Sequence, residues 1–276
     1  MLHLDPNELQ TPELHGYLLG AIGPRPICFA STVDEEGKVN LAPYSFFNVF
    51  SARPPILIFS PARRVRGNTV KHTLENVQAV PEVVINVVNY AMVQQMSLAS
   101  TEYPKGVNEF VKAGFTMEAS ETVRPPRVKE APVQLECKVV NVVPLGTEGG
   151  AGNLVMAQVE RLHISQDILN SQGQIDPEKI DLVSRMGGNW YSRAKSGLFE
   201  VAKPNSDLGI GIDALPRAIR QSDILSGNDL AQLANVSALP EGAHEHSGQD
   251  INRQKKAKQL IEQGAIEQAW QVLIQE

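Results

Sequence analysis

The sequence predicts a mainly β protein: a β-barrel with short helices in its crossovers, followed by a helical C-terminal extension. Three observations carry that expectation. Strand-type runs outnumber helical ones from Ile27 to Ile164, no strand-helix-strand rhythm of a doubly wound sheet repeats, and the composition changes after Lys203-Pro204-Asn205-Ser206. The expected division is therefore 1–204 for the barrel and 205–276 for the extension.

In chain order, Glu13 to Leu19 reads as a short helix. Ile27 to Val33, rich in Ile, Phe, Thr and Val, reads as a strand, Asp34-Glu35-Glu36-Gly37-Lys38 as a turn, and Val39 onward as the returning strand of a hairpin. Pro54-Pro55 closes that strand. The apolar runs Ile56 to Phe59 and Val83 to Val88 have the continuous character of strands covered on both faces. Between them Asn68 is expected to cap a helix through Thr69 to Val77, with Leu74 and Val77 on one face, and Ala91 to Ser100 forms a second short helix. Val133 to Leu145 and Leu154 to Ile164 flank a glycine-rich turn and pair as a long hairpin. Ile251 to Ile274 carries apolar residues at helical spacing, so one amphipathic helix is expected there, packing on the barrel or its mate. Leu239 to Gly248 reads as a linker ahead of it.

With 25 basic against 31 acidic side chains, the formal net charge of −6 argues against a nucleic-acid partner, which needs an excess of Lys and Arg. No apolar run is long enough to span a membrane, and the first ten residues lack the basic start and apolar core of a signal peptide. A cytoplasmic location is expected. Cys28 and Cys137 both lie in strand-like contexts without partners at metal spacing, as buried thiols do.

Nucleophile elbows, phosphate loops and zinc spacings are absent. Gly209 to Ala214 matches a short dinucleotide fingerprint, but no strand precedes it and Pro216 follows. His244-Glu245-His246 lacks a third ligand and reads as a solvated loop. Two segments stand out instead. Arg63 to Thr73 gathers four Arg and Lys side chains near an expected helix start, which suits a phosphate, although a solvated basic loop has the same composition. Asn40-Leu41-Ala42-Pro43-Tyr44-Ser45-Phe46-Phe47-Asn48 is aromatic and amide-rich, read either as binding surface or as barrel core.

An ordered series of motifs then resembles the flavin reductase-like family, whose members have an FMN-binding split barrel. The series runs from Pro24-Arg25-Pro26-Ile27 through Ser31-Thr32-Val33-Asp34, Asn40 to Asn48, Pro54-Pro55, Phe59-Ser60, Lys71-x-Thr73-Leu74-x-Asn76 and Val84-Ile85-Asn86 to Arg185-Met186-Gly187-Gly188 with Tyr191. It spans about Leu14 to Pro204. Two departures are His72, where the family commonly has Asp, and the basic loop between Ser60 and Lys71.

The resemblance implies a homodimer with FMN near the subunit boundary. It places Tyr44, Ser45, Phe46 and Asn48 beside the flavin ring, and Ser60, Lys71 and Thr73 toward the phosphate. The charge pattern adds Arg63. His163 falls near where some relatives carry a histidine on the nicotinamide side of the flavin, and is otherwise a strand histidine facing solvent. The implied activity is hydride transfer from NADH or NADPH to FMN and onward to a small-molecule or protein acceptor. The alternative is a non-catalytic FMN binder or electron carrier reduced by a partner protein, and a third possibility is a barrel that has lost its flavin.

Overall fold

The computed structural model describes residues 1–201 and 209–275, which form two compact units, Met1–Leu198 and Phe199–Glu276. The boundary expected between 204 and 205 lies outside the described residues.

The first unit opens with helix α1 (Thr11–Ala21), then strands β1 (Cys28–Val33), β2 (Val39–Tyr44), β3 (Phe47–Ala52) and β4 (Pro55–Phe59). Helix α2 (His72–Ala79), strand β5 (Glu82–Val87) and helices α3 (Val93–Ala99) and α4 (Glu109–Ala113) follow. The short pair β6 (Met117–Glu118) and β7 (Arg127–Val128) precedes the long hairpin β8 (Val133–Pro144) and β9 (Asn153–Ile164). Helix α5 (Pro177–Ile180) and the pair β10 (Val183–Arg185) and β11 (Tyr191–Arg193) complete it.

Seven strands form one antiparallel sheet in the order β2-β1-β5-β8-β9-β4-β3. Its two outermost strands, β2 and β3, are neighbours in the chain, separated only by Ser45 and Phe46. Two linking residues span at most about 11 Å from Tyr44 to Phe47. The sheet must therefore curl until its edges nearly meet, giving a barrel split between β2 and β3. This is the mainly β split barrel with crossover helices that the sequence predicts.

Alternation along the strands fills both sides of the wall. On β1, Cys28 and Ala30 join Leu57, Phe59, Ile85 and Val155 inside the barrel, where Leu74 and Val77 of α2 close the core. Phe29 and the adjoining Ile27 face the other way, against Met92, Met96 and Phe110 of the α3–α4 layer. With both faces covered, every residue of β1 is buried.

Two local expectations are corrected. Lys71, not Asn68, occupies the N-cap position of α2. Asn68 sits in a turn at φ 48°, its side chain accepting from Arg63 Nε at 2.6 Å and donating to the Thr147 carbonyl at 2.9 Å. The returning strand expected from Val39 onward is two strands, because the chain leaves the first sheet edge at Ser45 and joins the opposite edge as β3. The glycine-rich tip of the β8–β9 hairpin also has a specific neighbour: a Cβ on Gly149 would lie 2.7 Å from the Val65 carbonyl oxygen, so only glycine permits that approach.

The second unit is helical: α6 (Arg217–Arg220), α7 (Gly227–Leu233), α8 (Ile251–Glu262) and α9 (Ile266–Ile274). Asp250 caps α8, and Ser226 with Asp229 forms a capping box on α7. The single helix expected over 251–274 is broken at Gly264, whose φ of 74° no helix accommodates. Apart from exposed Ile251, its apolar stripe is covered inside the unit itself. Ile261, Trp270 and Leu273 pack with Ile219, Leu230 and Leu233, and Trp270 Nε1 donates to the Leu233 carbonyl at 3.1 Å. The end of the stretch expected as a linker is tied to this core, since Ser247 is buried and Gly248 N–H donates to the Leu273 carbonyl at 2.9 Å, while residues 244–246 are exposed. No helix among the described residues is long and apolar enough to cross a membrane.

Candidate functional site

A cleft of about 310 Å³ opens at the split of the barrel, within the range of small-molecule sites. The β2–β3 link contributes Tyr44, Ser45 and Phe46, the end of β4 contributes Ser60, and the start of α2 contributes Lys71, His72 and Thr73. Residues 99–103 and Glu109 come from the α3–α4 layer, and His15 and Leu19 from α1. Closing the sheet on a two-residue link is thus what brings these sequence-distant segments together.

The cleft joins apolar surface to polar groups. Tyr44 lies against Phe59, with ring centroids 5.5 Å apart, and His15 meets Phe46 edge-on at 6.1 Å. Burial pushes the Tyr44 phenol well above its ordinary range, with its interaction with Thr73 opposing, so the ring stays neutral across physiological pH. Beneath it, buried Asn40 donates from Nδ2 to Thr73 Oγ1 at 2.8 Å. Ser60 Oγ accepts from the Asn153 N–H at 3.0 Å. Glu109 is buried beside them; burial raises its carboxyl, although the Leu41 N–H donates to Oε2 at 2.9 Å.

The remaining wall is cationic. Arg64 Nη1 donates to the Val70 carbonyl at 2.6 Å and to Thr69 Oγ1 at 3.1 Å, while its Nε reaches Glu102 Oε1 at 2.9 Å. Lys71 Nζ lies 3.0 Å from the same Glu102 oxygen. Lys71 also begins α2, whose first backbone N–H groups have no partner within the helix and add to the positive character of this corner.

Of the residues singled out in the sequence, Tyr44, Ser45, Phe46, Ser60, Lys71 and Thr73 line this one cleft, together with His72. Asn48, Arg63 and His163 are outside its lining. Asn48 is exposed on β3, its Oδ1 accepting from the Val49 N–H at 2.8 Å. Arg63 closes the 63–69 loop onto Asn68 through Nε and Nη2. His163 stands on β9 with Nε2 2.8 Å from Glu136 Oε1.

Within the two segments that stand out in the sequence, the charge pattern selected Arg63 where the cleft takes Arg64, and Asn40 was not singled out; Glu102 and Glu109 were missed altogether. Nothing local marks Glu102 or Glu109, which the α3–α4 layer delivers from afar. Among the described residues no group of three His, Cys, Asp or Glu side chains is arranged to hold a metal.

Comparison with known proteins adds three relatives and a family. The profile described as "Flavin reductase like domain" matches residues 21–178. An uncharacterized protein of Halalkalibacterium halodurans is 38% identical over 194 residues, covering 70% of this chain and 92% of the relative. The crystal structure of nitrilotriacetate monooxygenase component B from Bacillus cereus is similar with a TM-score of 0.67 and 31% identity over 74% of this chain and 98% of that one. A split-barrel-domain protein from Shewanella frigidimarina is similar with a TM-score of 0.62 and 25% identity over 74% and 99%.

Proposed function

The chain belongs to the flavin reductase-like family, and from that premise we propose that it is an FMN-dependent oxidoreductase taking hydride from NADH or NADPH and delivering electrons to a small-molecule or protein acceptor. One observation carries the reading: a single cleft combines an aromatic wall, several hydroxyls and two cations on one corner. That is the donor set a flat ring, a polyol chain and a terminal phosphate require.

The chemistry of the residues fits the cofactor. Tyr44 and Phe46 offer apolar surface for the ring, Ser45, Ser60 and Thr73 offer hydroxyls, and Arg64 with Lys71 would hold the phosphate through charge-assisted hydrogen bonds. Bound FMN supplies a ring that accepts hydride and gives up electrons singly or in pairs. The protein's part is to bind, align and keep water out, so an acid-base pair is not required of it. The neutral Tyr44 phenol suits this wall, because an ionised side chain there would repel an electron-rich ring.

The family resemblance also supports a homodimer. Val49 and Phe50 on edge strand β3 are 62% and 64% exposed and lie just beyond the cleft residue Phe46, a surface suited to a second copy. Light scattering at micromolar concentration should give twice the chain mass.

The deciding experiment uses the purified full chain. Flavin absorbance, or tight fluorescence titration by FMN, is expected, followed by anaerobic bleaching of the bound flavin by NADH or NADPH. Failure to bind any flavin would overturn the reading, and binding without bleaching by either nucleotide would make the protein an electron carrier reduced by a partner.

A further inference from the structure

Glu102 is the least constrained member of the cation corner and the one that occupies it. Its carboxylate oxygen Oε1 accepts from both Arg64 Nε and Lys71 Nζ, at 2.9 and 3.0 Å. Arg64 has further partners, and Lys71 is fixed at its backbone while its ammonium meets Glu102. Arg64 is tied through Nη1 to the 69–70 backbone and side chain, and the Lys71 backbone carbonyl receives the Leu74 and Glu75 N–H groups of α2. Glu102, by contrast, is 61% exposed at its side chain, and among the described residues its carboxylate meets only these two cations. It lies in the turns that follow α3, outside any helix or strand, so its side chain can swing to solvent without disturbing an element.

Resting on the FMN reading, the geometry points to Glu102 as a built-in stand-in for the ligand's phosphate: a carboxylate that holds Arg64 and Lys71 until a phosphate displaces it. Preference for phosphorylated over unphosphorylated flavin is then set by an anion exchange. The exchange runs toward the ligand because a phosphate carries more charge and more acceptor oxygens than a carboxylate, while the displaced group regains water at an exposed position. Glu102 places one counter-ion between two like charges.

The test titrates Glu102→Gln and Glu102→Ala with FMN and with riboflavin. The expected result is FMN affinity raised about two- to ten-fold, the range of an exposed ion pair counted once or twice, with riboflavin unmoved. Glu75→Gln, which removes an equal charge from the Lys105 pair outside the cleft lining, should raise FMN affinity less. Inorganic phosphate provides an arm without flavin: it should raise the thermal midpoint of the apo variants more than that of the wild type. Unchanged or weaker FMN binding in both variants, equal shifts for FMN and riboflavin, or a Glu75→Gln effect as large as that of Glu102→Gln would each overturn the inference. If the wild type binds no flavin, the FMN reading falls. The phosphate arm then decides alone, with equal protection of wild type and variants sinking the stand-in.

Discussion

Two carboxylates in the barrel unit are each surrounded by hydrogen-bond donors, yet they do opposite things. Glu136 on β8 is fully buried and receives the Glu121 N–H at 2.9 Å, the Thr122 N–H and hydroxyl at 2.6 Å each, and His163 Nε2 at 2.8 Å. Burial pushes its carboxyl up, but those hydrogen bonds outweigh the desolvation and hold it down to about 2. Glu102 has two cations and open water. The donors around Glu136 come from the 121–122 bend and from β9, and they converge on a carboxylate that is itself fully buried. Saturation and burial turn a polar cluster into scaffold, whereas partial exposure leaves one exchangeable. The same distinction reassigns His163, which serves the sealed cluster and lies outside the cleft lining.

Predictions follow that contrast in order of size. Glu136→Ala removes the common acceptor of two N–H groups, a hydroxyl and His163 and should cost about 1–3 kcal/mol in chemical denaturation. A loss under 1 kcal/mol would mean the cluster is softer than its geometry. Because the folded carboxyl titrates below the unfolded one, Glu136 stabilises the fold above the ordinary carboxylate range. That contribution drains away as the pH falls through it toward about 2. Stability of the wild type should therefore drop on acidification from pH 5 to 2, and a Glu136→Gln variant should show a shallower slope.

At the open cluster the effects move from stability to ligand. Lys71→Ala should weaken FMN roughly ten- to hundred-fold and leave riboflavin nearly unchanged, since one charge-assisted bond of about 1.5–3 kcal/mol is lost. Equal losses for both ligands would make Lys71 a support of the fold. His163→Ala should cost about 1 kcal/mol of stability while leaving the rate of flavin reduction by NAD(P)H at the wild-type level; a specific fall in that rate would return the residue to the chemistry. The smallest effects belong to the periphery. His72→Asp, placing a negative charge in the lining, should weaken FMN about three-fold against riboflavin, the scale of one exposed charge pair. Arg63→Ala should alter both ligands alike, because that side chain braces Asn68.

Much of the scaffold is legible because its signals are local. Ile56 to Phe59 and Val83 to Val88 announce covered strands by continuous apolar character, and the 133–164 hairpin by two β-branched runs around glycines. What escaped is set by distance or by a single residue's backbone. Phe47, Val49 and Phe50 read as an extension of β2 until sheet order moves them to the far edge. Gly264 fits a helical stripe in pattern and breaks it in conformation. In the site, Tyr44 to Phe46, Ser60, Lys71 and Thr73 were visible as a motif series, whereas Glu102 and Glu109 have no sequence neighbour that shares their task. The pairing of His163 with Glu136 is a diagonal across two strands whose register shifts between Glu136 and Cys137, which no one-dimensional spacing reveals.

The link of Ser45 and Phe46 between β2 and β3 has an evolutionary consequence. Every other neighbouring pair of main-sheet strands is laced by backbone hydrogen bonds, so an inserted residue there disrupts a ladder. At this one seam the two strands are joined by covalent chain alone, and each added residue would lengthen the tie by roughly 3.5 Å without unpairing anything. Descendants of this chain thus have a place to widen or narrow the mouth of the cleft, and with it the size of molecule admitted, while the rest of the wall is inherited unchanged.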